Sequence, residues 1–234
     1  MSAANGANIM KELFLKIKRF FRRNKYDEIN IVNQGGTEIT YGITYGNNTI
    51  VFIKAGMKGS IYGYQNKYLK ISKLLNQKHG CTVIVSSNPN GLEDDFESEM
   101  KSLKAYAYYH NWNNYQVYYM GHSIGATLGI IHSFKYPEIK KLVCINGPLN
   151  INPTKLIDGI KSFSGEKMNL IYGSKDPTFS MANLYAELES DIVEITRIQG
   201  ADHNFTNCLE LFISLPGFFF FGEEISCKNV KINR

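Results

Sequence analysis

The sequence has no Cys-x-x-Cys pair among its four cysteines, which stand at 81, 144, 208 and 227. That spacing indicates neither a zinc site nor a disulfide framework. No metal and no cofactor is expected of the chain. Cys81 and Cys144 fall in or beside apolar runs, where a thiol behaves as a small hydrophobe. A pairing of Cys208 with Cys227 stays open. No apolar run reaches the ~18–20 residues needed to cross a bilayer. The first residues lack the apolar core and cleavage site of a secretory signal, so the expected location is cytoplasmic. Internal repeats and Pro- or Ser-rich linkers are absent too. The 234 residues then fit one domain with a substantial core. Excess charge is missing from most of the chain. Residues 1–25 hold seven basic residues against Glu12, a net of +6 in a chain of net +5, which leaves −1 for the remainder. The body therefore gives no case for nucleic acid.

What is present divides into residues 1–25 and a domain over 26–234. Met1 to Ala7 reads as a small, polar leader. Met10, Leu13, Phe14, Ile17, Phe20 and Phe21 then follow helical spacing, with Lys and Arg on the other face. Such a helix packs on the domain, or makes a peripheral contact with an anionic membrane or a partner through residues 9–25.

Glu28–Asn33 and Thr37–Gly46 alternate as strands, and Asn47-Asn48 suits a tight turn into the continuous apolar strand Thr49–Ile53. A meander of three strands is expected to open the domain. Helices and strands then alternate. Helices are expected over Gly63–His79, Glu93–Trp112, Ala126–Phe134, Thr154–Phe163 and Met181–Leu188. Strands are expected over Cys81–Ser86, Tyr115–Met120, Lys141–Asn146, Met168–Tyr172 and Asp191–Ile198. Repeated βα units argue a mostly parallel sheet with helices on both faces.

The chemistry centres on Gly121-His-Ser-Ile-Gly125. The bare Gly-x-Ser-x-Gly pattern is short enough to arise by chance, so the strand before it and the helix after it carry the weight. Between them Ser123 sits on a sharp turn with its hydroxyl lifted clear of the sheet, while Gly121 and Gly125 let strand and helix approach. A serine nucleophile needs a base and an acid past strand ends on the same edge. Asp176 lies in Gly173-Ser-Lys-Asp-Pro177 and His203 in Gly200-Ala-Asp-His203, each after the right strand. His203 would take the Ser123 proton, and Asp176 would orient and stabilise the imidazole. His79, His110 and His132 fit less well, and His122 is the free middle position of the turn. Asp202 is the second candidate for the acid.

These motifs and the order of elements resemble the α/β-hydrolase superfamily over about residues 28–210. The resemblance implies an eight-stranded, mostly parallel sheet and a serine nucleophile acting through an acyl-enzyme. It also implies an oxyanion hole of two backbone N–H groups, by position those of Met57 and Ile124. Many relatives carry His-Gly after the third strand, whereas this chain has Lys54-Ala-Gly-Met57. Relatives often insert a cap between the sixth and seventh strands. Here Asn146 to Met168 leaves room for one short helix, so no sizeable cap and an open site are expected. Tyr62, Tyr64 and Met57 are candidate wall residues.

The function expected is a serine hydrolase cleaving a carboxylic ester or related acyl bond of a small-molecule substrate. The alternatives are a non-catalytic binding or scaffold protein of this fold and an acyltransferase using the same triad. Phe218 to Phe221 lies outside the resemblance. It reads as a buried end of the domain with Ile225 to Ile232 as an added strand, or as an exposed contact patch.

Overall fold

A computed structural model describes residues 25–34, 36–93, 96–148, 150–225 and 232–233. The expected helix within residues 9–25 lies outside them, apart from Lys25. Nine strands form one sheet: β1 Glu28–Gln34, β2 Thr37–Thr44, β3 Asn47–Lys54, β4 Cys81–Ser86, β5 Gln116–His122, β6 Ile139–Ile145, β7 Lys167–Gly173, β8 Val193–Ile198 and β9 Ile232–Asn233. Their order is β1-β2-β4-β3-β5-β6-β7-β8-β9. The six strands from β3 to β8 run parallel, while β1, β2 and the two-residue β9 pair antiparallel. Of the expected strand over Ile225–Ile232, residues 226–231 lie outside the described residues, and Ile232 falls in β9.

The opening meander is not formed. β2 pairs with β4 rather than with β3. The chain after β2 crosses the start of β4 at Gly46, where a Cβ would stand 2.3 Å from the Cys81 carbonyl carbon. Asn47 N–H then donates to Gly80 O at 2.7 Å. The reason lies in β3 itself. Its run Ile50-Val-Phe-Ile53 is buried on both faces, which suits a strand flanked by parallel neighbours and not one in a hairpin.

Among the described residues, five α-helices cover the sheet: α1 Lys67–His79, α2 Phe96–Tyr109, α3 Ile124–His132, α4 Pro153–Ser162 and α5 Leu209–Phe221. The alternation of strand side chains divides the core in two. Ile50 and Phe52 face a cluster with Phe96 and Met100 of α2, Ile130 of α3 and Leu156 of α4. Val51 and Ile53 face the other, with Leu69 and Leu75 of α1 and Phe212 and Leu215 of α5. The helix expected over Met181–Leu188 is a 3₁₀ run, Phe179–Leu188. The connection from β6 to β7 holds α4 and no cap domain. A Cβ on Gly159 of α4 would stand 2.1 Å from Ile130 O, so α4 lies directly on α3.

The four phenylalanines are helical and none is exposed. α5 runs past Pro216 and stops at Gly222, whose φ of 72° suits a helix end. Phe221 stacks on His79 of α1 at 3.8 Å between ring centres, and Phe220 packs on Tyr118 of β5. Among the described residues no helix is long and apolar enough to cross a membrane.

Candidate active site

The site is built at the C-terminal edge of the parallel strands. β5 ends at His122, Ser123 turns, and α3 starts at Ile124. Ser123 has φ 57° and ψ −125°, a conformation that L-residues adopt only under constraint. Two glycines supply the space. A Cβ on Gly121 would lie 2.4 Å from Gly125 O, and one on Gly125 would lie 2.4 Å from Lys54 O. The turn is held from below, with Ser123 N–H donating to Ile145 O at 2.8 Å.

Asp176 and His203 come together. His203 Nδ1 and Asp176 Oδ2 are 2.5 Å apart. The other carboxylate oxygen, Oδ1, accepts from Thr178 N–H at 2.7 Å and from the Thr178 hydroxyl. Burial pushes the Asp176 carboxyl up, but the bonds from His203 and Thr178 outweigh it and hold it below its ordinary value. The carboxylate side chain is fully buried, while the imidazole keeps 40% of its surface exposed. The pair thus has a fixed inner end and a reachable outer one. His203 stands beside the turn, its ring centre 5.1 Å from that of His122. The Ser123 hydroxyl itself makes no hydrogen bond to His203. Asp202 is occupied elsewhere, its Oδ1 accepting from Thr206 N–H at 2.7 Å.

The loop after β3 runs alongside Ser123. A Cβ on Gly56 would stand 3.0 Å from Ser123 Cβ and 3.6 Å from its Oγ. Ala55 N–H donates to Ser86 O at 3.1 Å, Lys58 N–H to Asn88 O at 2.7 Å and Gly59 N–H to Gly56 O at 2.8 Å. Met57 N–H donates to no carbonyl among the described residues. Ile124 opens α3, where an N–H has no intrahelical acceptor. Lys54 turns away into the core. Its buried amine reaches Glu99 Oε1 at 2.8 Å, Ser87 O at 2.8 Å and Ser86 Oγ at 3.2 Å. Of the candidate wall residues, Met57 lies against Gly91, Tyr64 is exposed, and the Tyr62 ring packs on Tyr26.

Several residues of the site were not legible in the sequence. His122 is not a free position: it is buried, and its Nε2 lies 2.8 Å from His203 O. Asn146, at φ 50° after β6, donates from Nδ2 to the carbonyls of Asp202 and His203 and accepts Gly173 N–H on Oδ1. The one signal for Asn146 was a polar amide closing a buried strand. Lys67 is buried with its Nζ 4.0 Å from the centre of the Phe212 ring and without a hydrogen-bond partner. Burial lowers that amine to about 7, against a smaller pull from Asp202.

No family model matches the sequence, and no curated protein matches it by sequence. Solved structures do match. Est1E from Butyrivibrio proteoclasticus aligns with a TM-score of 0.66 at 12% identity, over 83% of this chain and 98% of its own. Dienelactone hydrolase from Anabaena variabilis aligns with a TM-score of 0.62 at 17% identity, over 85% and 98%. The esterase domain of a Rhodothermus marinus protein aligns with a TM-score of 0.60 at 14% identity, over 81% and 95%. The chain has the α/β-hydrolase fold. Its nearly full-length coverage of these structures agrees with the uncapped connection between β6 and β7.

Proposed function

We propose that the protein is a serine hydrolase that cleaves a carboxylic ester or related acyl bond through an acyl-enzyme on Ser123. The observation that carries this reading is the 2.5 Å His203–Asp176 pair standing beside a strained serine turn. With substrate bound, His203 Nε2 takes the proton from Ser123 Oγ as the oxygen attacks the acyl carbon. The carbonyl oxygen becomes an oxyanion, and the Met57 and Ile124 N–H groups are the donors that receive it. Collapse breaks the bond to the leaving alcohol, which takes the proton back from His203. Water then enters by the same route, releases the acid and restores Ser123. Asp176 stays ionised throughout and stabilises the imidazolium. The missing Ser123–His203 hydrogen bond is compatible with this, because such bonds often tighten only with substrate in place.

A fluorophosphonate probe tests the reading. Ser123 is expected to be labelled, and Ser123→Ala should abolish both labelling and p-nitrophenyl acetate turnover. Folded protein that is neither labelled nor active would favour the second reading, a non-catalytic binding or scaffold module. The lack of a Ser123–His203 hydrogen bond is what speaks for that module. A third reading is acyl transfer, in which an alcohol or amine rather than water takes the acyl group from Ser123; an open site admits water and so weighs against it. Product analysis with and without added acceptor separates transfer from hydrolysis.

A further inference from the structure

We propose that His122 and Tyr68 are positioning residues that tie the loop carrying His203 to the turn carrying Ser123 and to α1. The inference rests on the reading of Ser123 and His203 as nucleophile and base.

The His203 backbone, not only its ring, is anchored. Its carbonyl oxygen lies 2.8 Å from His122 Nε2 and accepts from Asn146 Nδ2 at 3.1 Å. A carbonyl oxygen can only accept, so His122 carries its proton on Nε2. Burial, and then the nearby Lys67, hold the His122 ring well below its ordinary pKa and therefore neutral. Nδ1 is left as an acceptor, and the Tyr68 hydroxyl stands 3.3 Å from it. The direction of each proton follows: Tyr68 O–H donates to His122 Nδ1, and His122 Nε2–H donates to His203 O. Three segments distant in sequence are thereby joined through two buried rings. One is α1, which carries Tyr68, one the turn after His122, and one the loop after β8.

The geometry explains why two rings are needed. The Asp176 bond fixes how the His203 ring rotates, but not where its backbone sits. His122 precedes Ser123 directly, so a bond from its ring makes base and nucleophile share one support. Phe212 closes the other side, edge-on to His122 at 5.4 Å between ring centres, and keeps water from competing for these bonds. A misplacement of the reacting groups by about 1 Å costs on the order of 100-fold in rate.

The test compares His122→Ala, His122→Gln and Tyr68→Phe with the wild type, all checked for folding by thermal melts. Gln keeps a donor toward His203 O and an acceptor toward Tyr68, and Phe keeps the packing of Tyr68. On p-nitrophenyl acetate, His122→Ala is expected to lower kcat by about 10–100-fold with KM unchanged. His122→Gln should recover most of that loss, and Tyr68→Phe should fall between the two. Equal kcat in all four proteins overturns the proposal, as does a Gln variant as slow as the Ala variant. A second readout needs no turnover. The His203 Nδ1 proton, followed by NMR, is expected to exchange with water faster in His122→Ala and Tyr68→Phe than in the wild type. Unchanged exchange overturns the positioning role even if the protein proves not to be a hydrolase. Faster exchange without any wild-type turnover supports the tie and fails only the catalytic reading.

Discussion

At the scale of single residues, the site depends on environments that the sequence does not display. Asp176 is useful because it is buried and still ionised, held there by His203 and Thr178. Replacing it with Asn would leave the shape and remove the charge that stabilises an imidazolium. Asp176→Asn is therefore expected to lower kcat by roughly 10³–10⁴-fold, read in an ester assay under saturating substrate. Lys67 gives a prediction of another kind. Its amine sits near 7 in the fold against 10.5 ordinarily, so the unfolded chain binds more protons between those values. The resulting penalty is complete below about pH 7 and fades as pH rises toward 10.5. Lys67→Met should stabilise the protein by on the order of 2 kcal/mol at pH 6–7, and this advantage should shrink above pH 9. Denaturant midpoints measured across that range check both halves. The triad candidates were legible because Gly-x-Ser-x-Gly, Asp and His each follow a strand that periodicity reveals. His122, Tyr68 and Asn146 were not, because their roles come from contacts across 54 to 81 positions of chain.

At the scale of elements, the loop after β3 shows how a departure from a pattern is absorbed. Lys54 stands where the resemblance led to the expectation of His, and its ammonium is taken up by Glu99 of α2, by Ser86 at the end of β4 and by Ser87 after it. The loop is thus bolted to its neighbours from the core side, while Gly56 faces Ser123. Removing one partner leaves a buried charge exposed to an apolar core. Glu99→Leu is expected to cost about 3–5 kcal/mol in chemical denaturation, whereas Lys54→Met with Glu99→Leu should cost much less than the two singles combined. Element boundaries were legible where a local signal existed and misplaced where tertiary contact decided. α2 stops at Tyr109 rather than Trp112, since Asn111 adopts φ 58° and closes the helix. α5 runs through Pro216, whose ~3 kcal/mol penalty is outweighed by the burial of Phe212, Leu215 and Phe220 against α1 and the sheet.

At the scale of the whole molecule, the sheet order could be read only in part. The run of βα units implied a mostly parallel sheet, and β3 to β8 run parallel. The pairing of β2 with β4 depended instead on how the chain crosses at Gly46, a packing event between residues far apart in sequence. The choice made between β6 and β7 has the widest reach. That connection is spent on α4, which lies on α3. Many esterases of greasy substrates rest in a closed state and wake only at an oil–water boundary. A site with no cap domain among the described residues has no such dormant state to leave. Its rate should climb smoothly as an ester such as tributyrin is raised through its solubility limit, with no jump where droplets form, and added viscogen should leave kcat unaltered. An abrupt rise at the droplet threshold would mean that some other segment does the covering.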